Sequence, residues 1–123
     1  MLAKQCAKLA SDKKAINPII LIVKDLTDVT DYFVICSGTS STQIKAIADN
    51  IVDKMADKGL KPAHFDSDTE ETWIVVDYRD VIVHIFNDDT RAHYRLEQLW
   101  GDAKMLEYEK LREKNKKKSG ATD

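Results

Sequence analysis

The sequence predicts a single α/β domain in which a mixed β-sheet is flanked by helices. Three features carry this expectation. Ile19 to Val23 is an unbroken aliphatic run of strand length, the pattern of a strand buried on both faces. From Thr42 to Lys58, the residues Ile44, Ile47, Ala48, Ile51, Val52 and Met55 recur at helical spacing. Trp73 to Tyr78 and Val81 to Phe86 are β-rich runs either side of Arg79-Asp80, which reads as an antiparallel hairpin. With 123 residues, 43% of them hydrophobic and 33% charged, the chain suits one core.

The elements come in order. Leu2, Ala3, Cys6, Leu9 and Ala10 mark an amphipathic first helix that ends before Asn17-Pro18. The strand Ile19 to Val23 comes next, and Asp25 to Asp31 is a polar turn. Tyr32 to Cys36 is a second strand running into Ser37-Gly38-Thr39-Ser40-Ser41. The long helix opens with Ser40 and Gln43 as a capping box and closes with Gly59 at the left-handed C′ position. Lys61 to Phe65 reads as an edge strand and Asp66 to Glu71 as an acidic loop. In the second arm of the hairpin, Val81, Val83 and Ile85 share one face, and Ile82, His84 and Phe86 the other. Thr90 to Trp100 is expected as one helix with Leu96, Leu99 and Trp100 on its apolar side. Lys104 to Glu113 is expected as a further, polar helix before a Lys- and Ser-rich end. A helical crossover favours a parallel strand pair and the hairpin an antiparallel one, hence the mixed sheet.

Charge and cysteines narrow the function classes. The net charge of −2 conceals six basic residues and one acidic between Lys110 and Lys118, a local +5 that leaves −7 elsewhere. An acidic body is a poor general nucleic-acid binder, because phosphate affinity comes from clustered Lys and Arg. It suits a basic partner. Cys6 and Cys36 have no disulfide or zinc spacing and read as reduced core thiols. No apolar run approaches the roughly 20 residues that span a bilayer, and the first residues lack a signal-peptide layout, so a cytoplasmic protein without membrane contact is expected.

The motifs that carry chemistry have plain structural readings beside them. Ser37 to Ser41 lies between strand and helix, where free N–H groups hold anions. Walker and GxGxxG spacing is absent, so the loop either binds phosphate or simply turns the chain and caps the helix. A nucleotidyltransferase needs paired carboxylates to hold metal ions. Asp49 and Asp53 sit on a polar helix face, Asp66 and Asp68 in a loop, and Asp77 and Asp80 astride a corner, so no metal, cofactor or catalytic site is expected. A Cys36–His84 nucleophile and base would need the two side chains adjacent; each is equally an ordinary strand residue. Trp73, Tyr78, His84, Phe86, Arg91, Tyr94 and Trp100 are types enriched at interface hot spots. Trp73 and Tyr94 are expected as surface anchors, and Phe86, Leu99 and Trp100 as core.

Two stretches then resemble a known family. Asp31-Tyr32-Phe33-Val34-Ile35-Cys36-Ser37-Gly38-Thr39-Ser40, with Gln43 and Ile44, is similar to the first signature of the Iojap-like ribosomal silencing factors. Trp73-Ile74-Val75-Val76-Asp77-Tyr78, Asp80 to Phe86, Arg91, Tyr94, Leu96-Glu97 and Leu99-Trp100 resemble the second. The resemblance runs from residue 1 to 103, leaving 104–123 as a polar, Lys-rich extension. It implies a nucleotidyltransferase-like superfold without the catalytic carboxylates, and a non-enzyme. The implied function is binding to the large ribosomal subunit through its universal protein numbered fourteen, excluding the small subunit and repressing translation under nutrient limitation. The contact residues it implies are Trp73, Asp77, Asp80, Arg91, Tyr94 and Leu96. A homodimer of the free protein is also implied. A minor contact of the basic tail with ribosomal RNA remains open beside a solvated end. Arg95 stands where the family often has an acidic residue. The alternatives are a nucleotide-binding enzyme using Ser37 to Ser41, and a large-subunit maturation factor.

Overall fold

The computed structural model describes residues 1–109, apart from the side chains of Tyr94 and Glu97. The order is α1 (Leu2–Ser11), β1 (Ile16–Ile22), β2 (Tyr32–Gly38), α2 (Ser41–Asp57), β3 (His64–Ser67), β4 (Trp73–Asp77), β5 (Val81–Asn87), α3 (Asp88–Tyr94), α4 (Leu96–Leu99) and β6 (Lys104–Glu107). The strands form one six-stranded sheet in the order β3-β4-β5-β2-β1-β6. β2 and β5 are parallel, because the chain crosses over between them through α2; the other neighbouring pairs are antiparallel. This is the mixed α/β sheet expected.

One face of the sheet is sealed by α1 and α2. Ala3, Cys6, Ala7 and Ala10 line the buried side of α1, small residues that let the helix sit close. Ile44, Ile47, Ala48, Ile51 and Met55 do the same for α2. They pack on Ile20, Val34, Cys36, Ile74, Val76, Val81, Val83 and Ile85. Both cysteines are free and buried, and burial pushes each thiol up to about 12. The opposite face buries Ile19, Leu21, Val23, Phe33, Ile35, Ile82 and Phe86 in a second cluster. The alternation along β5 therefore divides as its sequence predicts.

The local chemistry explains the ends of the elements. Ser40 Oγ accepts from Gln43 N at 3.1 Å, capping α2. Gln43 Oε1 returns to Thr39 N at 2.7 Å, one residue earlier than a reciprocal box would reach. Gly59 takes φ 81 just past the helix, as a C′ glycine does. Asn17-Pro18 sits inside β1 as a bulge: Ile16 pairs with Ser37 and Ile19 with Ile35, while Asn17 has φ 45. A proline lacking N–H is tolerated there, and so β1 begins three residues before Ile19.

Four expectations are corrected. The edge strand is His64–Ser67, later than Lys61 to Phe65, because it is aligned by pairing with β4. The single helix Thr90 to Trp100 is two: Asn87 caps Asp89 N at 3.0 Å, so α3 starts at Asp88, and Arg95, at φ 51, breaks it before α4. Leu99 is 73% exposed and not core, since the break turns it outward. Lys104–Glu107 is the edge strand β6, paired with β1 from Ile22↔Lys104 to Ile19↔Glu107, where a polar helix was expected. The part of that expected helix beyond Glu109, with the basic stretch from Lys110, lies outside the described residues.

Candidate functional site

The two faces of the sheet differ in how completely they are covered. On the second face Trp73, Val75, Leu96, Trp100 and Ala103 pack against the buried cluster while remaining half-exposed. Their positions come from register. Trp73 pairs with Phe86 and Val75 with His84, so β4 and β5 stack their side chains on this face. The ring centroids of Trp73 and Phe86 are 5.0 Å apart and those of His84 and Phe86 5.9 Å, both stacked. Phe33 lies 5.3 Å from His84 and 5.4 Å from Trp100.

Within this aromatic bed one polar contact stands out. Trp73 Nε1–H donates to His84 Nδ1 at 3.1 Å. An acceptor at Nδ1 requires a lone pair there, which places the proton of the neutral ring on Nε2. Burial drives the His84 pKa down from 6.5 to about 4, so the ring is neutral at physiological pH.

An acidic rim adjoins the indole. Asp66, Ser67, Asp68, Trp73 and Val75 line a shallow recess of about 210 Å³. Slight desolvation would raise the Asp68 carboxyl, but hydrogen bonds from Thr72 and Trp73 outweigh it and lower the pKa. Asp68 Oδ1 accepts from Thr72 N at 2.7 Å and Trp73 N at 3.1 Å, and Oδ2 accepts from Thr72 Oγ1. The expected acidic loop is thus an ordered turn that delivers the chain into β4.

The six residues implied as contacts fall in separate places. Trp73 and Leu96 share the half-covered face. Asp77 ends β4 at the opposite end of the strand from Trp73, roughly 13 Å away at the usual strand rise. Its Oδ1 accepts from Arg79 N at 2.6 Å. Asp80 is exposed in the same corner, and its carbonyl accepts from Asp31 N and Tyr32 N, each at 3.1 Å. Arg91 is half-buried and turned toward the sheet: Nη1 donates to Ser37 Oγ at 2.8 Å and to the Ile16 carbonyl at 3.2 Å. Tyr94 is the last residue of α3.

Two features escape a reading of the sequence. A base at His84 for Cys36 would need the two on one face, yet they point to opposite ones: Cys36 belongs to the helix-covered cluster, and His84 stacks on Phe33 and Phe86. The signal was present in the shared face of Ile82, His84 and Phe86. The second is a cleft of about 540 Å³ between α3, α4 and the β1–β6 edge, lined among others by Asp88, Arg91, Arg95, Met105 and Glu107. It depends on β6, which the sequence does not announce. Of the expected Ser37 to Ser41 loop, Ser37 and Gly38 belong to β2 and Ser41 to α2, and at the junction Thr39 N and Gln43 N are already taken by Gln43 Oε1 and Ser40 Oγ, consistent with capping. Among the described residues no three His, Cys, Asp or Glu side chains gather as a metal site would require. No described helix is long and apolar enough to cross a membrane.

The sequence and the fold both have known relatives. The family model described as ribosomal silencing factor during starvation matches residues 1–123. The ribosomal silencing factor RsfS of Bacillus subtilis (strain 168) is 38% identical over 104 residues, 85% of this chain and 88% of that protein. The chloroplast protein Iojap of Arabidopsis thaliana is 36% identical over 105 residues, 85% of this chain and 44% of that protein. The crystal structure of a Chromobacterium violaceum protein is similar with a TM-score of 0.78 at 28% identity, covering 81% of this chain and 83% of that one. A Bacillus halodurans crystal structure gives 0.72 at 34%, covering 84% and 94%.

Proposed function

The chain belongs to the ribosomal silencing factor family, and from that membership we propose that it binds the large ribosomal subunit through the universal large-subunit protein numbered fourteen. Bound there, it keeps the small subunit from joining and represses translation when nutrients are scarce. It acts in the cytoplasm by occupying a surface, without catalysis, metal or cofactor.

The observation that carries this reading is the asymmetry of the sheet. One face is sealed by two helices, whereas the other presents Trp73, Val75, Leu96 and Trp100 half-exposed on a packed aromatic bed. Aromatic side chains held in this way are the usual anchors of interface hot spots. In this reading Trp73 and Leu96 are the apolar anchors and Tyr94 adds a contact from the end of α3. Asp77 and Asp80 form a charged rim that speeds encounter with a basic protein. Arg91 holds α3 against β1 and β2 at the other end of the hairpin. About 800 Å² per partner suffices for such a specific contact. The domain extends through β6, which completes the sheet edge, and so runs past the 1–103 span that the resemblance implies. The free protein covers the same face with a second copy, and the basic extension adds at most a minor contact with ribosomal RNA.

Binding of fluorescently labelled protein to purified large and small subunits tests this. Saturable binding to large subunits alone, competed by isolated protein fourteen, is the expected result. Equal binding to both subunits, or preference for precursor over mature large particles, would overturn it, the latter in favour of a maturation factor.

A further inference from the structure

Trp73 begins β4 and its indole is only half-covered, so the contacts that orient the ring decide what it presents to solvent. Three observations bear on what holds it. The indole stacks on Phe86 at 5.0 Å and 29°, which sets the tilt of the ring but not which of its two edges faces His84. Its Nε1–H meets His84 Nδ1 at 3.1 Å. His84 itself cannot swing, being 9% exposed and wedged between Phe33 on β2 and Phe86 on its own strand. A histidine so placed in an otherwise apolar bed gives up solvation for which hydrophobic packing offers no return. The hydrogen bond to the indole is its compensation.

We propose that His84 is a positioning residue: its Nδ1 locks Trp73 in one orientation, so that the binding surface is pre-organised before the partner arrives. This rests on the reading that Trp73 touches the partner. An anchor already fixed loses less side-chain entropy on binding, so the lock acts mainly by slowing dissociation. The depressed pKa of about 4 keeps the Nδ1 lone pair available throughout the physiological range.

The test uses full-length protein with His84→Leu, which removes the acceptor and keeps the site apolar, and His84→Asn, whose Oδ1 can stand in for Nδ1. The chain has two tryptophans, so the Trp73 indole N–H resonance is assigned by comparison with Trp73→Phe. In His84→Leu this resonance moves upfield and exchanges faster with solvent, and affinity for purified large subunits falls about tenfold, mostly through dissociation. His84→Asn restores both. A Trp73 indole signal unchanged in a folded His84→Leu overturns the lock. So does an altered signal with undiminished affinity, provided Trp73→Ala still abolishes binding. If Trp73→Ala also binds normally, the failure belongs to the reading of Trp73 as a contact, and the inference falls with it.

Discussion

His84 Nδ1 accepts a hydrogen bond from Trp73 Nε1 across 3.1 Å, joining the second arm of the hairpin to the first through a buried imidazole and a half-exposed indole. Because the imidazole must be neutral to accept, this one contact ties the state of the open face to pH.

Acid should therefore weaken the fold in a defined window. The folded-state pKa of His84 is about 4 against 6.5 for the free side chain, so the unfolded chain binds the extra proton first. The stabilisation is complete above pH 6.5 and is lost as pH falls toward 4, by on the order of 3 kcal/mol for a gap of this size. Denaturant unfolding at a series of pH values should show stability dropping through this window in the wild type. In His84→Leu the drop between pH 6.5 and 5 should be largely absent.

Arg91 should matter for stability before it matters for binding. Its guanidinium ties α3 to the Ser37 hydroxyl and the Ile16 carbonyl. Charge-assisted hydrogen bonds are each worth roughly 1.5–3 kcal/mol, so Arg91→Ala should lower unfolding free energy by about 2 kcal/mol. Asp80→Asn, at an exposed corner, should leave stability within about 0.5 kcal/mol and slow association with large subunits at low salt. Stopped-flow association and urea titrations separate the two effects.

The cap of α2 should show its usual weight. Ser40→Ala removes the acceptor for Gln43 N and should cost about 1 kcal/mol. Gln43→Ala should cost at least as much, because its side chain also donates to the carbonyls of Lys13 and Lys14, at 3.3 and 3.0 Å, pinning the turn after α1. Thermal unfolding of the two variants and their double mutant checks both magnitude and coupling.

Truncation should separate the role of β6 from that of the basic extension. A chain ending at Ala103 loses the strand that pairs with β1 from Ile19 to Ile22 and exposes a long apolar edge, so it should unfold readily or aggregate. A chain ending at Glu109 keeps that pairing and should bind large subunits within about tenfold, or roughly 1.4 kcal/mol, of the full-length protein.

The sheet was legible because its signals are local. The continuous run at Ile19, the stripe from Ile44 to Met55 and the alternation from Val81 to Phe86 each report burial at the period of their element. The features that escaped depend on distant partners. Lys104-Met105-Leu106-Glu107 has no strand alternation, and it is a strand only because the β1 edge is there to receive it. The break at Arg95 is a left-handed residue with no glycine to announce it. Among the candidate site residues, the face shared by Trp73 and His84 could be read from β alternation, but the bond between them required the cross-strand register. The inward tie of Arg91 could not be read at all, since Ser37 lies 54 residues away in sequence.

The most direct measurement is sedimentation of purified large and small subunits through a gradient with and without the protein. Co-migration with the large subunit and loss of the joined-ribosome peak, both reversed by Trp73→Ala, is the expected result. Protein remaining at the top of the gradient while subunits join unhindered would contradict the proposed function.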